Sequence, residues 1–342
     1  MKVSVLMTTY NTEKYIGEAI RSLVSQDLPF EWELLIGDDG STDKTVDIVK
    51  DWINKYPREI KVFVHSRDEK GKVGSRAARN RAFLLERATG EYIHFMDGDD
   101  CFLGTDTVKS KVEILDNPKY ADCSCCAQNL RRVKIQSQES YLDFEKGKGD
   151  WVLDIHHYWS HYYFHTDTIL FRSKCKELLL HPLYRDYLND NFITFLILQY
   201  GKVYYQDKIG AQYNLTGDGL WTGHSKVYGA FRGLQLYDLE LDVRQDMNAL
   251  ILNKHKGDIR KIRKSYNKSL SEDVLPLTTG LDPAVFKATL LLFKTSDLSL
   301  KERVQRSLLY LKADYIYHAS LIKHRFRKYV LRKKGLSKKG HL

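Results

Sequence analysis

The first 130 residues alternate short apolar runs with segments whose apolar residues recur every three or four positions. Val3–Met7 is a run rich in branched side chains, typical of a buried strand, and Tyr15–Val24 has helical spacing. The same alternation predicts strands at 33–37, 60–64, 92–96 and 121–127, and helices at 46–53, 74–88 and 105–115. Strands that alternate with helices favour an α/β fold with a mostly parallel sheet flanked by helices.

The pattern becomes less regular after this region and then turns helical. It predicts strands at 169–172 and 202–206 and a buried helix at 191–199. Beyond about residue 226 the apolar positions follow a helical stripe. We therefore expect a catalytic domain over residues 1–225 and a mainly helical C-terminal region over residues 226–342.

The composition is that of an ordinary globular protein. Of 342 residues, 43% are hydrophobic and 29% are charged, and five cysteines are too few and too uneven for a disulfide framework. No apolar run reaches the 18 residues of a membrane span, and Val3–Met7 is too short for a signal peptide. The expectation is a cytoplasmic protein with reduced cysteines.

Most of the excess positive charge lies at one end of the chain. The net charge is +10, and residues 321–342 contain nine lysines and arginines and no acid. A nearly neutral body argues against nucleic acid as a partner. The segment could be a solvated terminus, but each cation near an anionic membrane surface contributes about 1 kcal/mol. We favour peripheral attachment to the inner face of the cell membrane.

Three predicted strands end in polar residues. These ends are Thr-Thr-Tyr-Asn at 8–11, Asp-Asp-Gly-Ser at 38–41 and Asp-Gly-Asp-Asp at 97–100. Ligands bind outside the carboxyl ends of strands in open α/β sheets, so we expect these ends to form a site. Five carboxylates at two of these ends are costly to bring together unless a cation lies among them. Carboxylate oxygens suit Mg²⁺ or Mn²⁺.

Two of these motifs also resemble common turns and loops. The 38–41 motif in isolation is more often a turn with a helix cap than a binding site. The 97–100 motif is not a calcium loop, because Phe102 and Val108 stand where that loop needs Gly and Glu. A Walker A loop and a G-x-G-x-x-G after the first strand are both absent, which removes the main support for a nucleoside triphosphatase or a dinucleotide-dependent dehydrogenase.

Residues 1–103 closely resemble the family 2 glycosyltransferases of the GT-A fold, a family common in bacterial surface-polysaccharide synthesis. The resemblance rests on the order and spacing of VSVLMTTYN at 3–11, LLIGDDGSTDKT at 34–45, GSRAARNRA at 74–82 and GEYIHFMDGDD at 90–100. It fades after about residue 130 and returns at LNDNFITF, 188–195. It implies a nucleotide-sugar half at 1–103 and an acceptor half at 104–225.

The resemblance also implies roles for individual residues at the nucleotide. Thr9 and Tyr10 would line the nucleobase pocket, and Asp39 would accept a hydrogen bond from a base N–H group, which suits uracil. Arg79, assisted by Arg76, would reach the nucleotide or its phosphates. The donor expected from these roles is a UDP-sugar.

The resemblance assigns the remaining chemistry to acidic residues. Asp97 would contact the ribose side of the nucleotide, and Asp99 would ligate Mn²⁺ or Mg²⁺. His224 is either a further metal ligand or an ordinary histidine. Asp190 would be the general base. A single base without a protein nucleophile implies inversion of anomeric configuration.

The resemblance is incomplete at the base. Many relatives have an acid immediately before this aspartate, where this chain has Asn189, and Asp186 lies nearby. The Q-x-x-R-W motif of processive synthases is absent, which favours transfer of one sugar per encounter.

Two clusters outside these motifs have competing interpretations. The aromatic and histidine-rich stretch 151–165 could line an acceptor site, but a packed core is the favoured interpretation. Cys123, Cys125 and Cys126 lie in a predicted buried strand and are expected to be structural.

Taken with the resemblance, the sequence predicts a metal-dependent, inverting enzyme that transfers a hexose or N-acetylhexosamine from a UDP-sugar to a glycan or glycolipid hydroxyl. A nucleotidyltransferase and a non-catalytic carbohydrate-binding protein are the alternatives. The oligomeric state is left open.

Overall fold

The computed structural model describes residues 1–67, 73–144, 146–158, 164–216, 239–240 and 243–247. The chain divides into two units, Met1–Gly219 and Leu220–Leu342, and the features below belong to the first. His224, the basic segment 321–342 and nearly all of the predicted helical region lie outside the described residues. The domain boundaries predicted from the sequence remain predictions.

The described strands and helices follow the alternation expected at the start of the chain. The strands are β1 (Val3–Thr9), β2 (Trp32–Asp38), β3 (Ile60–Val64), β4 (Tyr92–Asp97), β5 (Cys101–Phe102), β6 (Cys123–Lys134), β7 (Ser140–Leu142), β8 (Trp151–Leu153), β9 (Ile169–Arg172) and β10 (Lys202–Leu215). The α-helices are α1 (Ile16–Val24), α2 (Thr45–Lys55), α3 (Val73–Arg87), α4 (Thr107–Asp116), α5 (Ile155–Tyr158), α6 (Lys176–Leu179) and α7 (Asp190–Ile197). None of these helices is long and apolar enough to cross a membrane.

One mixed sheet joins all ten strands. Its main order is β3-β2-β1-β4-β9-β6-β10-β5, with β7 beside β6 and β8 beside β10. The strands β1 to β4 are parallel, whereas β9 runs antiparallel to both β4 and β6. Thr9 pairs with Asp38 and Thr8 with Asp97, so the three polar strand ends lie side by side.

The core explains why β1 lacks a polar face. Every residue of β1 is buried, because helices cover both faces of a parallel sheet. The helix α1 buries its apolar stripe of Ile16, Ala19, Ile20 and Leu23 in the same core. Cys123, Cys125 and Cys126 are buried free thiols, as the sequence predicts.

Two strands are longer than their apolar patterns indicate. The strand predicted at 121–127 ends at Lys134, and the strand predicted at 202–206 ends at Leu215. The two strands pair with each other in parallel over most of this length. This pairing provides hydrogen-bond partners for the backbone N–H and C=O groups beyond the end of each apolar pattern. The three-residue strands β7 and β8 are too short to show any periodicity.

Candidate active site

The turn after β2 combines a structural aspartate with a cavity-lining one. Asp38 Oδ1 accepts hydrogen bonds from the backbone N–H groups of Gly40 (3.1 Å) and Ser41 (2.8 Å), and Asp38 Oδ2 accepts one from the Ser41 hydroxyl. Gly40 has a φ of +75°, a conformation that favours glycine. Asp39 is thereby left to line a neighbouring cavity. The motif is therefore both a turn and part of a cavity.

This cavity, the Asp39 cavity, has a volume of about 270 Å³ and is lined by Asp39, His65, Ser66, Arg76, Arg79, Asn80, Phe83, Arg185 and Asp186. The four residues from α3 are spaced at helical intervals and share one face. The Asn80 amide donates to Gly37 O (2.8 Å), which fixes α3 against β2. The structure therefore brings Asp39, Arg76 and Arg79 together, as the sequence predicts.

The Asp39 cavity is small and contains both signs of charge. Burial raises the pKa of Asp39, while the nearby Arg76 and His65 oppose this effect. Its volume lies at the lower end of the range for ligand pockets, so it suits a fragment such as a nucleobase and not a whole nucleotide sugar.

Thr9 and Tyr10 lie beside this cavity at the end of β1. Thr9 is buried and its carbonyl accepts the Asp39 N–H (2.9 Å). The Tyr10 ring is 41% exposed, and the Arg67 guanidinium lies 3.6 Å from its centre. A base that stacks on this face of Tyr10 must displace Arg67, a residue that the sequence motifs did not single out.

The turn after β4 depends on a glycine. Gly98 N–H donates to Thr8 O (2.8 Å), and a Cβ atom at position 98 would lie 2.7 Å from Thr9 Oγ1. Asp97 just before it accepts from the Thr8 hydroxyl (2.7 Å), and Arg81 Nη2 lies 3.0 Å from both of its carboxylate oxygens. Both oxygens of Asp97 are thus held by the protein.

Four acidic residues, Asp97, Asp99, Asp100 and Asp167, gather at this turn, and we call them the carboxylate cluster. Side-chain oxygens of Asp97, Asp100 and Asp167 lie within 4.8 Å of one another. Burial, together with the charges of Asp97 and Asp167, raises the pKa of Asp99 to about 7. Burial and the same neighbour, Asp167, hold the pKa of Asp100 well above its usual value.

The carboxylate cluster fits a divalent cation. Asp100 is 1% exposed, and its Oδ2 has no hydrogen-bond partner among the described residues. Neighbouring buried carboxylates repel one another unless a proton or a cation lies among them. A cluster of oxygen ligands is the donor set that Mg²⁺ and Mn²⁺ prefer.

Asp190 is the first residue of α7 and lies on the other side of Arg81. Asn189 caps this helix through its side-chain oxygen, which accepts Phe192 N–H (3.1 Å). The residue that departs from the family pattern is therefore the N-cap that positions Asp190. The Asp190 side chain is 18% exposed, and its Oδ1 lies 3.8 Å from Arg81 Nη1.

Arg81 is a buried cation between the carboxylates of Asp97 and Asp190. Burial disfavours its charge, but Asp97 and Asp190 raise its pKa above the usual value. Its Nη1 also donates to Leu188 O (3.1 Å), just before α7. Arg81 thus joins the end of β4 to the start of α7.

Asp186 and Asp190 have different surroundings. Asp186 lines the Asp39 cavity, whereas Asp190 lies within reach of Arg81 and His165. Of the two candidates near the base position, only Asp190 adjoins the carboxylate cluster through Arg81.

Sequence comparison identifies the family. The sequence model described as "Glycosyl transferase family 2" matches residues 4–178, about half of the chain. The chain belongs to glycosyltransferase family 2. The family and the GT-A fold predicted from the motifs are confirmed.

Two curated relatives of this family 2 chain are longer proteins, of which it spans only a small part. The poly(ribitol-phosphate) beta-N-acetylglucosaminyltransferase TarS of Staphylococcus aureus is 41% identical over 117 residues, which is 34% of this chain and 19% of TarS. The minor teichoic acid biosynthesis protein GgaB of Bacillus subtilis is 42% identical over 98 residues, 28% of this chain and 10% of GgaB. The matched segment is thus a fifth or less of each relative.

A solved structure shares the fold over nearly the whole chain. The crystal structure of S. aureus TarS 1–349 in complex with UDP-GlcNAc superposes with a TM-score of 0.56 at 19% identity. It covers 95% of this chain and 92% of that one. At this identity the likeness shows the fold of the family 2 chain and not its substrate.

The sequence motifs missed several residues of this family 2 site. Arg81 stands next to the ARN segment, but it lies about half a helical turn away from Arg79 and so reaches Asp97 instead of the Asp39 cavity. The residues of the segment 165–168 contact the site only because β9 inserts beside β4. The local signal for this segment is its His-Thr-Asp-Thr sequence, of which only His165 belongs to the aromatic stretch 151–165.

Trp151 and Phe164 of the aromatic stretch 151–165 pack in an aromatic cluster, whereas Val152, His156 and His157 are exposed. Phe164 and Tyr205 are buried with ring centres 5.9 Å apart, and Trp151 lies 5.0 Å from Tyr205. These rings form a core cluster, which is the interpretation that the sequence favoured. Residues 159–163 lie outside the described residues.

Proposed function

We propose that this chain is an inverting, metal-dependent glycosyltransferase that moves one sugar from a UDP-sugar to a hydroxyl of a glycan or lipid-linked glycan during surface-polysaccharide assembly. One observation carries the proposal: three features of the site are neighbours. The Asp39 cavity follows β2, the carboxylate cluster follows β4, and Arg81 joins that cluster to Asp190 at the start of α7. Family membership and the teichoic acid names of the relatives support the pathway.

The nucleotide would bind at the ends of β1 and β2. Asp39 accepts the N3–H of uracil within the Asp39 cavity, and Tyr10 stacks on the ring. Arg76 and Arg79 share that cavity and offer positive charge to the nucleotide phosphates. TarS was crystallised with UDP-GlcNAc, which makes UDP-GlcNAc the first donor to test.

The metal would be held by the carboxylate cluster, with Asp99 as one of its ligands. A bound Mg²⁺ or Mn²⁺ supplies positive charge that stabilises a departing diphosphate. Asp97, whose two oxygens are held by Thr8 and Arg81, would orient the ribose side of the nucleotide. His224 remains a proposed additional ligand.

Asp190 would accept the proton of the acceptor hydroxyl. It is partly exposed, so an acceptor can reach it, and Arg81 Nη1 lies 3.8 Å from its Oδ1. The acceptor oxygen forms its bond to the anomeric carbon as the bond from that carbon to the phosphate oxygen breaks. The electron pair leaves on UDP and the proton moves to Asp190. One such displacement inverts the anomeric configuration.

The remaining parts of the proposal concern location and acceptor. The acceptor would bind beside residues 104–225, and residues 321–342 would hold the protein at the inner face of the membrane. Full-length protein should float with anionic vesicles, and protein that lacks 321–342 should not. Equal flotation of both would reject the membrane role.

Product analysis tests the proposed activity. The full chain is incubated with a panel of UDP-sugars and Mn²⁺, with and without glycan acceptors, and the released nucleotide is identified. We expect UDP, with loss of turnover on chelation of the metal. Pyrophosphate as a product would indicate a nucleotidyltransferase, and UDP-sugar binding without turnover would indicate a carbohydrate-binding protein.

A further inference from the structure

One buried imidazole lies between two carboxylates that belong to different parts of the site. His165 Nδ1 is 3.3 Å from Asp167 Oδ2, and His165 Nε2 is 3.5 Å from Asp190 Oδ2. His165 is 6% exposed and Asp167 is 1% exposed, so water does not screen these contacts. The ring also packs against Tyr213, with ring centres 4.8 Å apart, which limits its orientation.

The segment that carries His165 is held as a rigid turn. The backbone N–H of Thr168 donates to His165 O (2.9 Å), and the Thr168 hydroxyl donates to the same oxygen (2.7 Å). The intervening Thr166 directs its hydroxyl to Asp190 Oδ1 at 3.2 Å. This one turn therefore contacts both carboxylate oxygens of Asp190.

The same turn is joined to the end of β4. Asp167 Oδ1 accepts the backbone N–H of Asp97 (3.1 Å), and an oxygen of Asp167 lies within 4.8 Å of oxygens of Asp97 and Asp100. A continuous set of contacts thus runs from the carboxylate cluster through Asp167 and His165 to Asp190.

We propose that His165 is a positioning residue that holds Asp190 at a fixed place relative to the carboxylate cluster. This inference rests on the proposed function, since it assigns His165 to the base of that reaction. Misplacement of a reacting group by about 1 Å can cost on the order of 100-fold in rate, so a rigid link between the two carboxylates has a direct effect on turnover. The contact through Nε2 is the one that carries this effect.

The two ring nitrogens can be tested separately. His165→Gln keeps a donor near the Nε2 position, His165→Asn keeps one near the Nδ1 position, and His165→Ala removes both. We expect UDP release, from the UDP-sugar that turns over fastest in the panel, to fall on the order of 10- to 100-fold in the Ala and Asn variants. The Gln variant should keep most of the activity. The affinity for UDP with Mn²⁺ should stay near the wild-type value in the Asn variant, which keeps a polar group beside Asp167 of the carboxylate cluster.

Thermal unfolding of each variant separates positioning from a merely structural role. If turnover in the three variants follows their melting temperatures and the Gln and Asn variants are equally impaired, His165 acts through stability and the proposal is wrong. Should the Ala variant fail to fold, the comparison of Gln with Asn decides the question.

A double-mutant cycle with Asp190→Asn completes the test. If His165 acts through Asp190, adding His165→Gln or His165→Ala to Asp190→Asn lowers turnover no further. A full additional loss would overturn the positioning role. If Asp190→Asn alone turns over at the wild-type rate, the base of the proposed function is wrong instead, so the two failures are distinguishable.

Discussion

Asp186 and Asp190 lie four positions apart, and the start of α7 separates their surroundings. Asp186 lies in the short turn before the helix and faces the Asp39 cavity, while Asp190 adjoins Arg81. The sequence alone does not separate the two carboxylates, because both lie near the position where the family has its base. Their neighbours separate them: an arginine-lined cavity for one and the carboxylate cluster for the other.

This difference predicts opposite effects of one substitution at the two sites. Asp190→Asn should lower transfer by about 10²- to 10⁴-fold, the usual contribution of a general base, with unchanged UDP affinity. Asp186→Asn should instead change the UDP affinity, because Asp186 lines the Asp39 cavity, and should keep a near wild-type rate at saturating donor. Steady-state rates and calorimetric titration with UDP provide both quantities. Wild-type transfer by Asp190→Asn would remove Asp190 from the mechanism.

At the element scale, the turns after β2 and β4 each depend on a glycine. Gly40 adopts a positive φ, and Gly98 lies too close to Thr9 for a larger residue. Gly98 packs so tightly on Thr9 that a methyl group there would force a shift of the β4 end. Asp97 and Asp99 flank this glycine, so their positions depend on it.

Gly98→Ala should destabilise the protein by about 1–3 kcal/mol, the usual cost of overpacking, and should weaken Mn²⁺-dependent UDP binding. Gly17→Ala in α1 is the control, since its methyl group would meet Ile48 at an ordinary 3.8 Å. Urea unfolding and UDP titration of both variants check this. Equal behaviour of the two alanine variants would contradict the packing argument.

The helix α4 carries a buried lysine against the same sheet. Lys111 Nζ lies 2.8 Å from His94 Nε2 and 3.0 Å from Thr168 O, and burial lowers its pKa to about 7, although Asp167 and Cys126 act in the opposite direction. Between pH 7 and the ordinary lysine value of 10.5, the unfolded chain binds a proton that the folded chain lacks. The contribution of Lys111 to the free energy of unfolding should therefore rise with pH across this window.

Lys111→Met should flatten this pH dependence, whatever its effect on stability at a single pH. Urea unfolding midpoints at pH 7, 8.5 and 10 for both proteins provide the comparison. An unchanged slope in the variant would show that Lys111 keeps an ordinary pKa in the fold.

Local patterns predict the alternating strands and helices of the first half and the place where three polar strand ends meet. The strands β1, β2 and β4 carry their functional residues at their own ends, and parallel pairing places those ends together. The rest of the site depends on pairing between distant segments. Asp97 and Asp167 are 70 positions apart in the chain and meet only because β9 runs antiparallel beside β4. No local periodicity encodes such a contact.

At the scale of the whole molecule, the strand order explains where the site lies. The strand β4 stands between the parallel strands β1 to β3, which present the Asp39 cavity, and the strands β9, β6 and β10 of the second half. The carboxylate cluster sits at this junction and takes Asp97, Asp99 and Asp100 from one side and Asp167 from the other.

We propose that these acids would hold a divalent cation at the UDP diphosphate, near Asp190. Anomalous scattering from crystals of the full chain grown with UDP and Mn²⁺ measures this directly. We expect a manganese peak in contact with the Asp99 carboxylate and the uracil ring in the Asp39 cavity. A manganese peak away from the carboxylate cluster, or a nucleotide bound elsewhere on the protein, would contradict the account.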